Sequence, residues 1–234
     1  MSEIFDFFLE PYQTATFLNI FLEIVAASFG IISVFYAKKE NILVFPTGII
    51  STGIYVYLLS QWNLYGDLII NIYYTIMSLY GWYLWNKITD DKNHHIPISR
   101  TNNKDKLKAF GIFVFTAAFV LFIYGKYDVI DTQLGILESI KHVFLHLNSL
   151  ENFRSVTPYI DTFTTASAFV AMWLMANKKI ENWTFWIVTN IVSVPLYFVK
   201  GYGFTGIQYT IFLILAFQGY NAWKISLDNN QQTS

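Results

Sequence analysis

The sequence predicts an all-α integral membrane protein of seven transmembrane helices, ordered as two parallel three-helix repeats joined by a linker helix (3+1+3). Three observations predict it: a shortage of charge, seven apolar stretches of bilayer length, and a weak internal repeat. Only 13% of the 234 residues are charged, while 54% are hydrophobic and 19% aromatic; soluble domains carry about 25% charged residues. One domain of about seven spans fits that length, so residues 1–234 are read as a single transmembrane unit. Cysteine is absent, which excludes disulfides, thiolate metal sites and cysteine nucleophiles together. A net charge of −1 gives no reason to expect a nucleic-acid partner.

Taken in order, residues 1–16 are polar and aromatic and suggest an interfacial helix. They carry Glu3, Asp6 and Glu10 and lack the basic stretch that opens a cleavable signal. Apolar spans follow at 17–36, 42–60, 66–85, 109–125, 160–177, 183–199 and 204–223. The first repeat is 17–85, the linker helix 109–125 and the second repeat 160–223. The joints are short and charged or glycine-bearing, except for two longer segments at 86–108 and 126–159. In the latter, Leu134, Leu137, Ile140, Val143, Phe144 and Leu147 recur at helical spacing, which predicts an amphipathic helix lying on the membrane interface. Alternate joints divide the basic residues unequally. Lys38, Lys39, Lys87, Lys92, Arg100, Lys104, Lys106, Lys108, Lys178, Lys179 and Lys224 fall on one side, and Lys126, Lys141, Arg154 and Lys200 on the other. The richer side is the cytoplasmic one, which puts the N-terminus outside and the C-terminus inside.

The repeat is legible as two echoes. Ala37-Lys38-Lys39-Glu40-Asn41 returns as Ala176-Asn177-Lys178-Lys179-Ile180-Glu181-Asn182, and Gly81-Trp82-Tyr83-Leu84-Trp85 as Gly219-Tyr220-Asn221-Ala222-Trp223. Glu23 and Asp161 sit early in the first helix of each unit, one position out of register. Three spans plus one between the units give both the same orientation, and in such folds the ligand site lies between the repeats near the midplane.

The polar residues within the spans fall on narrow faces. On a helical wheel Trp183, Trp186, Asn190, Ser193 and Tyr197 share an arc of about 80°, as do Asp67, Asn71, Tyr74, Ser78, Gly81 and Trp85. An amide as deep as Asn190 needs a partner, because an unsatisfied polar group in hydrocarbon costs several kcal/mol. Two indoles above a buried amide suit a flat polar ligand; a helix–helix contact with the indoles in an interfacial belt is the competing reading. Asp67 and Trp85, near the helix ends, are expected to be interfacial. Pro195 removes the donor to the carbonyl of Ile191 and loosens the same helix. In the last span Gln208, Phe212 and Gly219 share a face, flanked by Tyr209; in the fifth, Asp161, Thr164, Thr165 and Ala168 do. Glu23 is costly unless paired, protonated or wet, and a structural partner for a nearby Ser, Tyr or backbone donor suits it better than a proton or cation site.

No Lys or Arg falls inside a span, so a phosphorylated ligand would meet no matching charge, whereas Trp faces attract a cationic one. His142 and His146 have the i, i+4 spacing of a metal pair but no third ligand fixed by sequence; they are read as a solvated helix face, with no metal and no cofactor expected. His94 and His95 fall in a cytoplasmic joint. No catalytic motif is present, so an enzyme is not expected.

With these residues in view, the chain resembles the PnuC family of bacterial nicotinamide riboside transporters over roughly 20–224. The resemblance is carried by Glu181-Asn182-Trp183-x-x-Trp186-x-x-x-Asn190 with Ser193, and by Tyr80-Gly81-Trp82-Tyr83-x-Trp85. Glu23, Asp161 and Tyr209 support it. The family implies a fold related to SWEET-type sugar transporters, a multi-pass place in the bacterial inner (plasma) membrane, and facilitated diffusion followed by trapping through intracellular phosphorylation. It also implies homotrimers. The site would comprise Trp183, Trp186, Asn190, Ser193, Tyr197, Asn71, Tyr74, Gln208 and Tyr209, with Glu23 and Asp161 as coupling or structural acids. Asn71 and Gln208 differ from the commoner family residues, amide of Gln type and acid respectively. A thiamine carrier of the same type therefore stands as the alternative ligand reading, with a non-transporting binding protein or enzyme as the alternative from another class.

Overall fold

The computed structural model describes residues 16–61, 65–89, 94–127, 129–130, 135–146, 150–199 and 203–232. The helix expected over 1–16 lies outside the described residues apart from Thr16, as do Leu134, Leu147, Lys92 and Lys200 and the side chains of His94, His95, Val143, His146 and Arg154. Among the described residues the helices are α1 (Phe17–Lys38), α2 (Val44–Gln61), α3 (Tyr65–Asn86), α4 (Asn103–Lys126), α5 (Ile136–His146), α6 (Leu150–Ala176), α7 (Glu181–Val199) and α8 (Gly203–Gln232). Seven overlap the seven apolar stretches of the sequence, and α5 overlaps the stretch with amphipathic spacing. A two-residue antiparallel ribbon, Ile88–Thr89 with His94–His95, is an addition to the all-α expectation.

Capping explains where helices begin. Thr16 accepts the N–H of Asn19 at 3.3 Å to open α1. At α4 the Asn102 side chain accepts from the Asp105 N–H at 2.9 Å, while the Asp105 carboxylate accepts from the Asn102 N–H at 3.1 Å. That box starts α4 at Asn103 rather than 109, because apolarity marks only the part of a helix that lipid surrounds. For the same reason α6 starts at Leu150 rather than 160, and α8 runs to Gln232 rather than 223.

Consecutive helices pack within each of two trios, α1–α3 and α6–α8; α1 against α8 and α3 against α6 join the trios, and α4 lies on α6. The exterior is apolar. Leu107, Phe110, Phe115 and Phe122 of α4 are each at least 66% exposed, an arrangement that water disfavours and lipid does not. Among the described helices α1 and α4 are apolar enough to cross a membrane by length and composition alone. The other long helices carry more polar residues, several of which line an interior cavity.

Adding 138 to a residue number in the first trio finds its structural counterpart in the second. Glu40 and Lys178 both adopt positive φ, at 55° and 50°. Each turn repeats the same bonds: Glu40 N–H to Ala37 O and Asn41 N–H to Tyr36 O, then Lys178 N–H to Met175 O and Lys179 N–H to Leu174 O. A Cβ on Gly81 would lie 2.3 Å from the Phe45 ring, and one on Gly219 would lie 2.5 Å from the Trp183 ring. Phe45 meets Trp85 edge-on at 4.9 Å, and Trp183 meets Trp223 edge-on at 5.6 Å. This register places Glu23 on Asp161, correcting the one-residue slip read from the sequence. The slip came from matching Ala37 with Ala176 by identity, where the backbone bonds match Ala37 with Met175. Trp85 is a second correction: it is 3% exposed and its indole donates to Ala176 O at 3.2 Å, so it is a core residue and not an interfacial one.

Candidate functional site

Between the trios lies a cavity of about 1520 Å³. Trp183, Trp186, Asn190, Ser193 and Tyr197 of α7, Asn71 and Tyr74 of α3, and Gln208 and Tyr209 of α8 all line it, as do Glu23 and Asp161. The structure therefore brings every expected site residue to one space. Thr164, Thr165 and Ala168 line it too. The cavity reaches the helix ends at Thr16, Gln61, Tyr127 and Gly203, and at the opposite end goes no further than Ala37, Val44, Trp183 and Ala216.

Most of its polar groups are already bonded to protein. Ser51 donates to Ala26 O at 2.8 Å, Thr52 and Thr75 share a hydrogen bond of 2.7 Å, and Tyr55 lies beside Gln208 within the field of Glu23. Asn71 donates its amide to Asp67 O at 2.9 Å, and Tyr124 donates to the Asp161 carboxylate at 2.5 Å, tying α4 to α6. Helix α7 holds most of the exceptions that line one wall, with Ser78 of α3 and Thr165 of α6 as further buried hydroxyls outside the hydrogen bonds of the described residues. Among the described residues nothing bonds the Thr189 hydroxyl or the Trp183 indole N–H, and no hydrogen bond reaches the side chains of Asn190 and Ser193, which are 3% and 2% exposed. The counterparts of Thr189, Asn190 and Ser193 in the other trio are Ser51, Thr52 and Tyr55, of which Ser51 and Thr52 are hydrogen-bonded to protein. Unspent buried polar groups in a cavity wall are what a polar ligand or ordered water satisfies.

The aromatic surface is shared between trios. Trp186 meets Tyr74 edge-on at 6.3 Å, and Tyr197 stacks on Tyr209 at 4.8 Å. Trp183 is 1% exposed and wedged against Gly219 and Trp223, so it closes the cavity's end more than it offers a face. Tyr73, beside Tyr74, stacks on Phe169 at 3.7 Å and fixes α3 to α6. Glu23, Asp67 and Asp161 line the cavity, and among the described lining residues none is Lys, Arg or His. Sequence reading missed Tyr55 and Thr189 because their spacing sets them off the faces that the indoles and amides define. Only the 138-residue register, which pairs Tyr55 with Ser193, would have found Tyr55.

Residues 20–225 match the family described as nicotinamide mononucleotide transporter. The chain is 22% identical to the nicotinamide riboside transporter PnuC of Escherichia coli K12 over 202 residues, covering 86% of this chain and 84% of that one. It is 26% identical to the nicotinamide riboside transporter PnuC of Neisseria mucosa over 206 residues, covering 85% and 70%. It is also 26% identical to the riboflavin/roseoflavin transporter RibM of Streptomyces davaonensis over 147 residues, covering 63% and 58%. The crystal structure of the vitamin B3 transporter PnuC superposes with a TM-score of 0.60 at 22% identity, covering 89% of this chain and 83% of that one, a likeness of fold. The chain belongs to the nicotinamide mononucleotide transporter family, the family of PnuC, whose members are membrane transporters and not enzymes.

Proposed function

We propose that the protein carries nicotinamide riboside across the bacterial plasma membrane by facilitated diffusion, with phosphorylation inside the cell trapping the product. The observation that carries this reading is the cavity wall of α7, where Asn190, Ser193 and Thr189 hold buried polar groups that no described residue uses. Trp186 and Tyr74 offer an aromatic corner to the pyridinium ring; Asn190 and Asn71 would bond its carboxamide or the ribose, with Ser193, Gln208, Tyr197 and Tyr209 completing the pocket and Trp183 its end. Three carboxylates and, among the described lining residues, no basic group favour a cation and disfavour a phosphate. That charge balance supports the riboside over the mononucleotide, and the PnuC relatives named as riboside transporters support it independently.

In the same reading the fold is a 3+1+3 assembly within one transporter domain: 17–85 as the first repeat, 109–125 as the linker helix and 160–223 as the second. The 138-residue register of turns, glycines and aromatic pairs supports it. The basic residues at the Lys38 end support a cytoplasmic position for that end, with the N-terminus outside and the C-terminus inside. Glu23 and Asp161 are structural acids, through Tyr55 and Tyr124. Homotrimers follow from the family resemblance.

The test is uptake. Proteoliposomes should fill with labelled riboside down its gradient, without a proton gradient, while the mononucleotide stays out. Accumulation that requires a proton gradient would overturn facilitated diffusion, and lumenal entry of thiamine or riboflavin in preference to the riboside would overturn the ligand. Cross-linking in native membranes checks the trimer.

A further inference from the structure

We infer that the Lys38 end of the bundle is a gate, held shut by a latch in which each trio's last tryptophan caps the first helix of the other trio around a Glu40–Lys178 ion pair. The indole of Trp85 in α3 donates to Ala176 O at the end of α6, at 3.2 Å; the indole of Trp223 in α8 donates to Ala37 O at the end of α1, at 2.9 Å. Carbonyls in a helix's last turn have no intrahelical donor, so the Trp85 indole serves an acceptor that α6 leaves open, while the Trp223 indole adds a second bond to Ala37 O, which also accepts the Glu40 N–H at 3.1 Å. Both rings are buried and lie 6.1 Å apart. Beneath them Lys178, 6% exposed, reaches Glu40 at 3.9 Å and places its ammonium 4.5 Å from the Trp85 ring.

What makes this a latch is the direction of the bonds. Each tryptophan is clamped inside its own trio by a ring and a glycine, Trp85 by Phe45 over Gly81 and Trp223 by Trp183 over Gly219. Each indole N–H crosses to the other side, and the two rings and the Lys178 ammonium over Trp85 meet there as well. The ion pair crosses as well, and so does the bond of 2.9 Å from the Lys38 ammonium to Gln218. A trio moving as a rigid unit keeps its internal packing and breaks these bonds together, which gives two discrete arrangements. The cavity ends one layer above, at Ala37, Val44 and Ala216, so separating the trios here would open it to the other side. Burial pushes the Lys178 ammonium below its usual range and Glu40 opposes that shift, so the lysine depends on the partner that opening would remove.

The inference rests on the carrier reading only in supposing that the trios move relative to one another. Its test needs no substrate, and riboside uptake by the unaltered protein judges the carrier reading separately. The chain has no native cysteine. Ser78→Cys therefore places one thiol in the cavity lining, and its reaction with a membrane-impermeant maleimide is timed from each face in sealed vesicles of both orientations. The native latch should confine reaction to the Thr16 end. Lys178→Met and Trp223→Phe, the second keeping a ring and deleting only the N–H, should each raise the rate from the Lys38 end by about threefold to tenfold, the shift in a two-state equilibrium expected for one lost contact. Exchanging the charges, Glu40→Lys with Lys178→Glu, should recover part of the closed behaviour. An unchanged rate from the Lys38 end in Trp223→Phe, with normal labelling from the Thr16 end showing a folded protein, would overturn the latch, and this holds whether or not Lys178→Met folds.

Discussion

Replacing Asn190 by alanine should separate binding from stability. The amide is 3% exposed, lines the cavity and has no hydrogen-bond partner among the described residues, so removing it deletes no bond that holds the protein together. A ligand bond to it contributes about 1–1.5 kcal/mol, which predicts riboside Kd rising about fivefold to twelvefold by calorimetry in detergent. The melting temperature should move by no more than about 2 °C, the size of a change near 0.5 kcal/mol in a chain of this length. Thr52, its counterpart, is the control. Its hydroxyl is already shared with Thr75 at 2.7 Å, so Thr52→Val should lose about 1 kcal/mol of stability and leave Kd alone. A folded Asn190→Ala protein with unchanged Kd would refute the assignment of the α7 wall to the ligand. A fall of many degrees in its melting temperature would show instead that the amide holds the fold.

Other expectations follow from single contacts. Trp186→Ala should weaken riboside binding by about 1 kcal/mol through loss of the face beside Tyr74, read in the same calorimeter, with Trp186→Phe retaining part of the affinity. Gly219→Ala sets a Cβ 2.5 Å from the Trp183 ring and should cost about 1–3 kcal/mol, seen as a lower melting temperature in a thermal-shift series. The N–H of Asn102 bonded to Asp105, with Lys179 adding to it, holds that carboxyl below the usual carboxylate range, so its stabilisation is present above the unfolded pKa and is lost as pH falls through the folded one. Asp105→Asn should therefore melt below the native protein at pH 7, and the gap should close below about pH 4.

Much of this was legible in the chain. A helical wheel puts Asn190, Ser193 and Tyr197 on one face because lipid leaves polar side chains no other direction to point, and the cavity wall of α7 is that face. The pairing of Gly81-x-x-x-Trp85 with Gly219-x-x-x-Trp223 was readable because each glycine makes room for a ring that has nowhere else to go. Helix ends were less legible: the extra turns of α4, α6 and α8 carry polar sequence, which hydropathy treats as joint. Trp85 was misplaced for a related reason. Position near a helix end suggests an interface, and only the fold reveals that the end of α6 lies against it. Nothing in the sequence tells which hydroxyls are spent: Thr52 and Ser193 look alike until Thr75 is found beside the first.

Glu40 touching Lys178 has one more consequence, because the two occupy the same place in their respective trios. Were the bundle a pair of separate identical three-helix chains, rotation about the symmetry axis would bring each such position onto its own copy, glutamate against glutamate or lysine against lysine. Covalent fusion through α4 removes that obligation. Sequence on either side of the axis can then diverge, so opposite charges can meet where a homodimer would repel, and one wall can keep its amide idle for a guest while its twin is committed to the framework.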